Sequence, residues 1–291
     1  MNQVPVKKIA AIHDLSGFGR AALSSIIPII STMGIQVCSV PTAILSTHTG
    51  DFEGYTFIDL TDHMTSYLNH WHELNLWFDC VYTGFLGSVN QIDIITNYIR
   101  AFEKKPLVVI DPVMADDGEL YSTMDVNMVN AMRDFISLAD VITPNFTEAA
   151  LLLGKKTEKE ILSDDELKNW LIELSNLGPE TVIITSVPHD KRTKKTYVVA
   201  YNKKDNRFWR VDCVYIPTQY PGTGDAFTSV LVGSLLQGDS LPMALDRSVQ
   251  FVTSAIRASY GYDYPNREGV LVEKVLDTLK LPVMLNSYEL F

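Results

Sequence analysis

The residues Tyr220-Pro221-Gly222-Thr223-Gly224-Asp225-Ala226-Phe227 open an apolar segment that continues over 228–236. Glycine lets the backbone turn its N–H groups towards a ligand, and the first turn of a helix offers unpaired donors with a partial positive charge. A phosphate bound there would lie beside the Asp225 carboxylate, which could take a proton from an attacking hydroxyl. The stretch therefore predicts a phosphoryl-transfer site at Gly222, Gly224 and Asp225.

A plainer alternative is that Asp225 only caps the helix, because aspartate is a favoured residue at that position. A Gly-x-Gly-Asp sequence taken alone favours capping. Evidence for chemistry therefore has to come from the rest of the chain.

Composition limits the classes of function. A chain of 291 residues with 46% hydrophobic and 20% charged residues can bury a large core. The formal net charge of -11 argues against nucleic acid or an anionic membrane as partner, but not against a small anionic substrate.

No apolar run is long enough to span a bilayer, and the first residues lack the apolar core of a signal peptide. Cys38, Cys80 and Cys213 lie far apart without a Cys-x-x-Cys motif, which predicts reduced thiols in a cytoplasmic protein.

Short apolar runs alternate with segments of helical periodicity along most of the chain. The runs that predict strands are 8–12, 35–41, 79–83, 107–110, 141–143 and 181–185. Polar loops are expected at 13–20 and 42–50, and helices follow most strands. This order predicts a mostly parallel sheet covered by helices on both faces. Without a repeat or a linker, residues 1–291 are expected to form a single domain.

Polar residues follow the predicted strands or lead into the predicted helices. In α/β sheets, ligands bind beyond the carboxyl ends of the strands, so these side chains are expected to gather at one edge. Capping alone does not explain such convergence. The residues are Asp14, Thr49, Asp111, Asn145, Ser186 and Asp225.

Gly17-Phe18-Gly19-Arg20-Ala21-Ala22 fits the glycine pattern of dinucleotide-binding proteins. The fingerprint needs its first glycine directly after the strand, and here four residues intervene. It also needs an acidic residue at the end of the second strand, where this chain has Val40-Pro41-Thr42. A dehydrogenase is therefore disfavoured.

Taken in order and spacing, five motifs resemble the ribokinase superfamily, and within it the pyridoxal (vitamin B6) kinases. The resemblance extends from Ile9 to beyond Ser259. It implies a ribokinase-like three-layer α/β/α sandwich with a mostly parallel central sheet, and an antiparallel hairpin (196–201 and 207–214) near the nucleotide. The motifs are Ser46-Thr47-His48-Thr49-Gly50, Asp111-Pro112-Val113, Thr143-Pro144-Asn145 with Glu148, Ile184-Thr185-Ser186 and Gly222-Thr223-Gly224-Asp225.

The resemblance also implies an activity, which is ATP-dependent phosphorylation of the 5'-hydroxymethyl group of pyridoxal, pyridoxine or pyridoxamine. Asp225 would be the catalytic base, and the amides of Gly222 to Gly224 would form the anion hole. Asp111 and Glu148 would engage Mg²⁺, partly through water. The residues implied to contact ATP are Asn145, Glu148, Thr185, Ser186 and Thr223. Relatives are usually homodimers.

Two of these assignments have structural alternatives. Asn145 and Glu148 have the spacing of a capping box, in which the two residues close the start of a helix. Asp111-Pro112 at the end of a strand is also an ordinary turn signal. The surrounding match to the family favours the site over the cap.

The resemblance places Asp14, His48, Thr49 and Phe85 around the substrate ring. Asp14 stands where relatives usually have serine, and Phe85 where they usually have tyrosine, which leaves the preferred vitamer open. His48 could instead be a structural histidine. Residues 114–120 could close over the substrate as a lid. The basic run 191–195 is expected to be a solvated hairpin turn, with guidance of ATP phosphates as the alternative.

Other functions stay in competition. A hydroxymethylpyrimidine kinase of thiamine biosynthesis shares the catalytic stretch, and dual specificity is a further alternative; Ser46-Thr47-His48-Thr49-Gly50 favours the B6 kinases. A sugar kinase would usually carry a small sheet after the first strand. A regulator without catalysis is disfavoured by the intact Gly222, Gly224 and Asp225. A requirement for a monovalent cation such as K⁺ stays open.

Overall fold

The computed structural model describes residues 5–157, 161–190, 195–214, 216–282 and 288–291. Most of the basic run expected at a hairpin turn, residues 191–194, lies outside the described residues. None of the described helices combines the length and apolar character needed to cross a bilayer.

The described strands are numbered in chain order. They are β1 (Lys8–Phe18), β2 (Gln36–Thr47), β3 (Phe57–Asp59), β4 (Cys80–Thr83), β5 (Leu107–Ile110), β6 (Ala115–Asp116), β7 (Glu119–Leu120), β8 (Val141–Ile142), β9 (Thr181–Asp190), β10 (Lys195–Asn202), β11 (Arg207–Cys213) and β12 (Tyr288–Leu290). The α-helices are α1 (Leu23–Thr32), α2 (Thr61–Glu73), α3 (Val89–Arg100), α4 (Val126–Phe135), α5 (Phe146–Leu152), α6 (Asp164–Asn176), α7 (Thr223–Gln237) and α8 (Leu241–Tyr260). Short 3₁₀ turns lie at Ile136–Leu138, Asn266–Glu268, Val272–Lys274 and Leu276–Lys280.

Within the described residues, ten strands form one sheet in the order β12-β11-β10-β9-β8-β5-β4-β1-β2-β3. The six strands from β9 to β2 pair in parallel. Antiparallel pairs extend the sheet at both sides, through β9 to β12 and through β2 with β3. The predicted fold class, a mostly parallel sheet with an antiparallel hairpin, is confirmed.

Each face of the sheet has its own apolar core, because the central strands are buried on both sides. On one face, residues such as Ile9 and Tyr82 pack with Leu23 of α1 and Phe227 of α7. On the other face, Val81 and its neighbours pack with α2 to α6. The result is three layers, with α1, α7 and α8 on the face that carries the glycine-rich helix start. The sheet takes strands from both ends of the chain, and the assignment of residues 1–291 to one domain stays a prediction.

Two of the predicted loops are wrong in part. Residues 13–18 continue β1 and residues 42–47 continue β2, and the two pair in parallel as far as Phe18 and Thr47, past an irregularity between His13 and Leu15. The short strand β3 then pairs antiparallel with β2. Serine and glycine in this stretch hid the strand pattern, since both are typical of loops.

Gly19 explains part of the glycine pattern at the end of β1. Its φ of +96° is in the region that favours glycine, and a Cβ there would collide with the His48 ring. The glycine therefore gives β1 and the loop after β2 their close packing, which agrees with the rejection of a dinucleotide fingerprint.

Candidate active site

The carboxyl ends of the parallel strands bring most of the predicted residues to one edge of the sheet. Asp14 lies within β1, at the irregularity between His13 and Leu15 and just past the part that pairs with β4. Asp111 follows β5, and Asn145 follows β8. Asn145 is bridged to Thr185 on β9. The loop after β2 reaches the start of α7, where an added Cβ on Gly50 would lie 3.7 Å from Cβ of Pro221. The expected convergence of the loops is therefore present.

The start of α7 is open rather than capped by a side chain. Gly222 is the N-cap in a left-handed conformation, with φ +79° and no side-chain hydrogen bond at the cap. A Cβ on Gly222 would collide with the carbonyl oxygen of Arg20, so the start of α7 meets the backbone of the segment between β1 and α1 here. A Cβ on Gly224 would meet nothing within 4 Å. The Thr223 hydroxyl donates to the Tyr220 carbonyl oxygen at 3.3 Å.

Asp225 lies half-buried in the first turn of α7, beside the start of α1. The Ala22 amide donates to Asp225 Oδ2 at 2.8 Å. Ala22 has a φ of +50°, an uncommon conformation for a residue other than glycine, and such conformations cluster at functional sites. Burial raises the pKa of Asp225 to about 6, against the opposing effect of the Ala22 amide. The carboxylate is therefore oriented, ionised at neutral pH and poised to accept a proton.

Asp14 is buried close enough to Asp225 for the two carboxyl groups to interact. Burial and then the charge of Asp225 raise the pKa of Asp14 to about 7, while the Ser16 hydroxyl lowers it. That hydroxyl donates to Asp14 Oδ2 at 3.3 Å. Near neutral pH Asp14 is present in both forms, so it can donate as well as accept a hydrogen bond. The serine of relatives can also do both.

Asp111 is a third buried acid at this edge. Burial and then the charge of Asp225 raise its pKa to about 8, and the hydroxyls of Thr143 and Thr228 oppose that rise. Thr228 Oγ1 lies 3.4 Å from Asp111 Oδ2 and 3.1 Å from Thr143 Oγ1. The hydroxyls of Thr143 and Thr228 therefore orient the Asp111 carboxylate.

Asn145 and Glu148 do form a capping box at the start of α5. The Glu148 amide donates to Asn145 Oδ1 at 2.9 Å, and the Asn145 amide donates to Glu148 Oε2 at 2.8 Å. The Met114 amide donates to Glu148 Oε1 at 3.0 Å. Burial and then Asp111 raise the pKa of Glu148 well above its usual value. The capping alternative is thus confirmed, and it leaves the Glu148 carboxylate near Asp111. The predicted contacts of Asn145 and Glu148 with ATP and Mg²⁺ stay predictions.

The acids at this edge suit a hydrated divalent cation. The charge of Asp111 adds to burial in raising the pKa of Glu148, and among the described residues no lysine or arginine contributes to the pKa shifts of these two groups. In the described part of the chain, no cluster of three or more His, Cys, Asp or Glu side chains could hold a metal alone. Mg²⁺ usually takes one or two carboxylates and fills the remaining positions with water and phosphate oxygens. Because Glu148 already accepts three backbone N–H groups, it fits a contact through water.

Thr185 and Ser186 lie beside Asn145 at the end of the buried part of β9. The Thr185 amide donates to the Pro144 carbonyl oxygen at 2.9 Å. Ser186 is exposed and has a φ of +57°, an uncommon conformation for a residue other than glycine. Their predicted contacts with ATP stay predictions, and the geometry leaves the Ser186 side chain free to meet solvent or a ligand.

His48 matches the structural alternative. The Gly50 amide donates to Nδ1 at 3.1 Å, so Nε2 carries the proton and donates to the Arg267 carbonyl oxygen at 2.6 Å. Burial lowers the pKa of His48, which keeps the ring neutral. Both ring nitrogens are used by the protein itself. A substrate contact of His48 stays a prediction and would involve the ring rather than a free nitrogen.

Thr49 and Phe85 flank the edge from two sides. Thr49 is exposed and Phe85 is half-buried. The Thr42 hydroxyl donates to the Phe85 carbonyl oxygen at 3.1 Å, which ties this loop to β2. Their predicted contacts with the substrate ring stay predictions.

The proposed lid at 114–120 is a small hairpin of β6 and β7. Met114 and Ala115 are fully buried. Asn145 Nδ2 donates to the Ala115 carbonyl oxygen at 2.7 Å, and the Gly118 amide donates to Thr147 Oγ1 at 3.0 Å. These contacts fasten the hairpin to the start of α5, which argues against a freely moving lid.

Sequence reasoning missed two contributors to the site. Ala22 acts through its amide, which no residue pattern reveals. Thr228 belongs to a segment whose sequence is mostly apolar, yet its hydroxyl reaches Asp111. The available signal was a pair of hydroxyl residues, Thr228 and Ser229, placed three and four residues after Asp225 in an otherwise apolar segment.

Comparison with known proteins gives a consistent picture. Residues 22–268 match the sequence profile of the phosphomethylpyrimidine kinase family. A Bacteroides thetaiotaomicron protein, provisionally named a phosphomethylpyrimidine kinase and crystallised with pyridoxal, is 54% identical with a TM-score of 0.95, covering 98% of this chain and 100% of that one. A pyridoxal kinase from Lactobacillus plantarum is 30% identical with a TM-score of 0.85, covering 94% and 96%. A pyridoxal kinase from Arabidopsis thaliana is 28% identical over 247 residues, which are 81% of this chain and 75% of that protein.

Proposed function

Because this chain belongs to the ribokinase-like phosphomethylpyrimidine kinase family, we propose that it is an ATP-dependent kinase that phosphorylates the 5'-hydroxymethyl group of a vitamin B6 vitamer. The products are the vitamer 5'-phosphate and ADP, as in B6 salvage. The observation that carries the proposal is the half-buried Asp225 carboxylate at the open start of α7, held by the Ala22 amide. The Bacteroides relative crystallised with pyridoxal and the pyridoxal kinase relatives support the choice of substrate.

Asp225 acts as the general base in this proposal. Its pKa of about 6 leaves it ionised at neutral pH, so it accepts the proton of the hydroxymethyl group as the oxygen attacks the terminal phosphorus of ATP. The new O–P bond forms while the bond to the β-phosphate oxygen breaks, and ADP leaves. Asp225 then releases its proton to solvent.

The backbone at the start of α7 receives the negative charge of the transferring group. Gly222 brings the chain into the turn, and the exposed Gly224 leaves space above the first amides of the helix. Unpaired amides and the helix dipole favour an anion there. In phosphoryl transfer such positioning supplies most of the catalysis.

We assign Mg²⁺ to the acids beside Asp225. Asp111 would hold it directly and Glu148 through water, and bound there it would neutralise charge on the phosphates. Asn145, Thr185, Ser186 and Thr223 would contact the nucleotide. Asp14, which is present in both protonation states near pH 7, would form hydrogen bonds with the polar groups of the pyridine ring. Thr49 and Phe85 would lie beside the ring.

The direct test is a panel of pyridoxal, pyridoxine and pyridoxamine with ATP and Mg²⁺, read as formation of the 5'-phosphate and of ADP in equal amounts. We expect vitamer-dependent ADP formation that EDTA abolishes. ATP turnover without phosphorylated vitamer, or none at all with any vitamer, would refute the proposal. Adding K⁺ in place of Na⁺ in the same assay shows whether a monovalent cation is required.

Hydroxymethylpyrimidine is the second candidate substrate. The family match and the provisional name of the Bacteroides relative favour it, and dual specificity is compatible with one site. Competition between pyridoxal and hydroxymethylpyrimidine in one assay separates the cases. We expect the larger kcat/KM for a B6 vitamer, and a larger value for hydroxymethylpyrimidine would reverse the assignment.

A homodimer through the β3 edge is part of the proposal. All three residues of β3 are exposed at the end of the sheet, and unpaired edge strands readily pair with another copy. Four apolar residues at or near this edge expose between 37% and 51% of their surface, namely Phe18, Ile44, Phe57 and Ile58. Light scattering should give twice the 32.6 kDa chain mass, and Ile58→Glu should give the single mass. A monomeric wild type would refute it.

A cytoplasmic location is the remaining part of the proposal. Cys38, Cys80 and Cys213 carry free thiols, which suit a reducing compartment. Fractionation of cells that make the protein would test this location.

A further inference from the structure

Thr228 is a buried hydroxyl on the inner side of α7, one turn after Asp225. Threonine and serine hydroxyls inside helices usually bond back to a carbonyl four residues earlier. Ser248 does so in α8, where its hydroxyl donates to the Ala244 carbonyl oxygen at 2.7 Å. Thr228 instead lies 3.4 Å from Asp111 Oδ2 and 3.1 Å from Thr143 Oγ1. Its hydrogen bonds are directed across the core, towards another element.

Proton counting gives these bonds a direction. A carboxylate that holds a metal ion is ionised and only accepts hydrogen bonds, so in the proposed metal-bound state Thr228 has to donate to Asp111. A hydroxyl has one proton, so Thr228 can only accept at its contact with Thr143 once it donates to Asp111. Thr143 then donates either to the Thr228 hydroxyl or to the Asp111 carboxylate. Both hydroxyls then support the same carboxylate. Thr228 is left with lone pairs that can accept from a further donor.

Tyr82 on β4 is suited to be that donor. Its side chain is fully buried, and its ring lies edge-on to the His13 ring with centroids 4.3 Å apart, which fixes its plane. The Tyr82 hydroxyl lies close enough to the hydroxyls of Thr228 and Ser229 for them to lower its pKa, although burial raises that pKa overall. In the described part of the chain no direct hydrogen bond of good geometry satisfies it. A buried phenol normally donates to a neighbour, and these hydroxyls are the acceptors at hand.

We propose that Thr228 is a positioning residue for Asp111, and that the Tyr82 hydroxyl orients the Thr228 hydroxyl towards that carboxylate. The bond to Oδ2 fixes the rotation of the Asp111 side chain, so that the acid assigned to Mg²⁺ is presented in one orientation. This inference rests on the proposed function, in which Asp111 holds the metal of the metal–nucleotide complex. Thr228 itself touches neither the nucleotide nor the vitamer.

The test compares metal-bound with metal-free nucleotide. A non-hydrolysable ATP analogue is titrated into the full-length protein, once with Mn²⁺ and once with EDTA, by calorimetry. Thr228→Val, which keeps the shape and removes the hydroxyl, should weaken binding of the Mn²⁺ complex about 10-fold, as loss of an outer-shell partner does. Metal-free binding should be unchanged. Thr228→Ser should restore Mn²⁺-dependent affinity to within about 2-fold, and Tyr82→Phe should lie between these two variants.

Ser248→Ala is the matched control, since it removes a buried helix hydroxyl that does not face Asp111. It should leave both titrations as in the wild type. Equal losses with and without metal in Thr228→Val, or no rescue by serine, would overturn the proposal in favour of a packing role. Wild-type affinity in Thr228→Val would overturn it as well.

These titrations need no vitamer, so they separate the two proposals. If the wild type binds the Mn²⁺ complex but phosphorylates no vitamer, the proposed substrate is wrong while the role of Thr228 is still tested. If Mn²⁺ gives the wild type no gain in nucleotide affinity, the metal assignment of Asp111 fails and the role of Thr228 fails with it.

Discussion

Two helices, α5 and α7, begin at the same edge of the sheet, and their first backbone amides differ in whether a side chain caps them. At α5 a capping box closes the helix start, with Asn145 and Glu148 each accepting a backbone N–H of the other. At α7 the N-cap is Gly222, which has no side chain to offer, and the carboxylate of Asp225 is directed to the Ala22 amide of a different helix. The first start is satisfied by its own residues. The second has no side-chain cap for its first amides.

The contrast shows how to read an aspartate in the first turn of a helix. A capping acid bonds to its own helix, whereas Asp225 bonds outside it and has a pKa of about 6 because it is buried. Sequence alone allowed both interpretations of Gly222 to Asp225. The direction of one hydrogen bond argues against capping by Asp225, and its role as the catalytic base stays a proposal.

Removing the Asp225 charge should have the largest effect. Asp225→Asn keeps an oxygen for the Ala22 amide but loses the base, so we expect kcat to fall by about 10²–10⁴-fold. Nucleotide affinity should change little, because no capping bond of α7 is lost. Steady-state kinetics and calorimetry with the ATP analogue check both parts. Near wild-type turnover would mean that Asp225 is no more than a structural acid.

The two glycines of α7 provide a paired test. Gly224→Ala adds a methyl group in open space, so the protein should fold normally while turnover falls on the order of 10²-fold, because the transferring group is displaced. Gly222→Ala should instead destabilise the fold. The left-handed backbone alone costs about 1–2 kcal/mol, and the collision with Arg20 adds to it. Thermal unfolding and kinetics of both variants separate these outcomes, and a fully active Gly224→Ala would contradict the open-site interpretation.

The role of Asn145 at the capped start of α5 can be tested by comparison with the capping box at the start of α6. Asn145→Ala and Ser163→Ala each remove a cap, at α5 and α6, and each should cost about 1 kcal/mol of stability. Only Asn145→Ala should also raise the KM for ATP, by about 10-fold, if the side chain contacts a phosphate. Equal KM values in the two variants would leave Asn145 with capping alone.

The smallest expected effect is on stability as a function of pH. Burial raises the pKa of Asp225 from its ordinary value to about 6, so the folded state favours the protonated form. The stability from this group is complete below the unfolded pKa and is lost as pH rises through about 6. Asp225→Asn should therefore stabilise the protein by about 1 kcal/mol more at pH 8 than at pH 5. Urea unfolding at the two pH values measures the difference, and an equal effect at both would contradict the raised pKa.

The architecture could be predicted because it rests on local patterns. Continuous apolar runs such as 107–110 gave the parallel strands, and the motif order gave the family, which the profile match confirms. The elements that were missed are short or polar. The two-residue strands β6 and β7 carry no period, β12 is a short strand added to the edge, and the extensions of β1 and β2 contain serine and glycine.

The candidate site could be predicted only where a side chain supplies the chemistry. Asp14, Asp111, Glu148 and Asp225 were named from sequence, and they lie at one edge of the sheet. The amide of Ala22 and the orientation of Thr228 depend on how α1, β5 and α7 pack together, which no local pattern contains. For His48 the two hydrogen bonds to Gly50 and Arg267 come from separate parts of the chain, so sequence left its role open.

The central claim is that the Asp225 carboxylate faces the acceptor alcohol on one side and the terminal phosphate on the other. A crystal structure of the protein with a B6 vitamer and a non-hydrolysable ATP analogue would measure this directly. We predict the 5'-hydroxyl oxygen at about 3 Å from an Asp225 carboxylate oxygen, with the terminal phosphate at the amides of Gly222 to Gly224. A vitamer bound with its hydroxyl turned away from Asp225, or a terminal phosphate distant from the start of α7, would contradict the account.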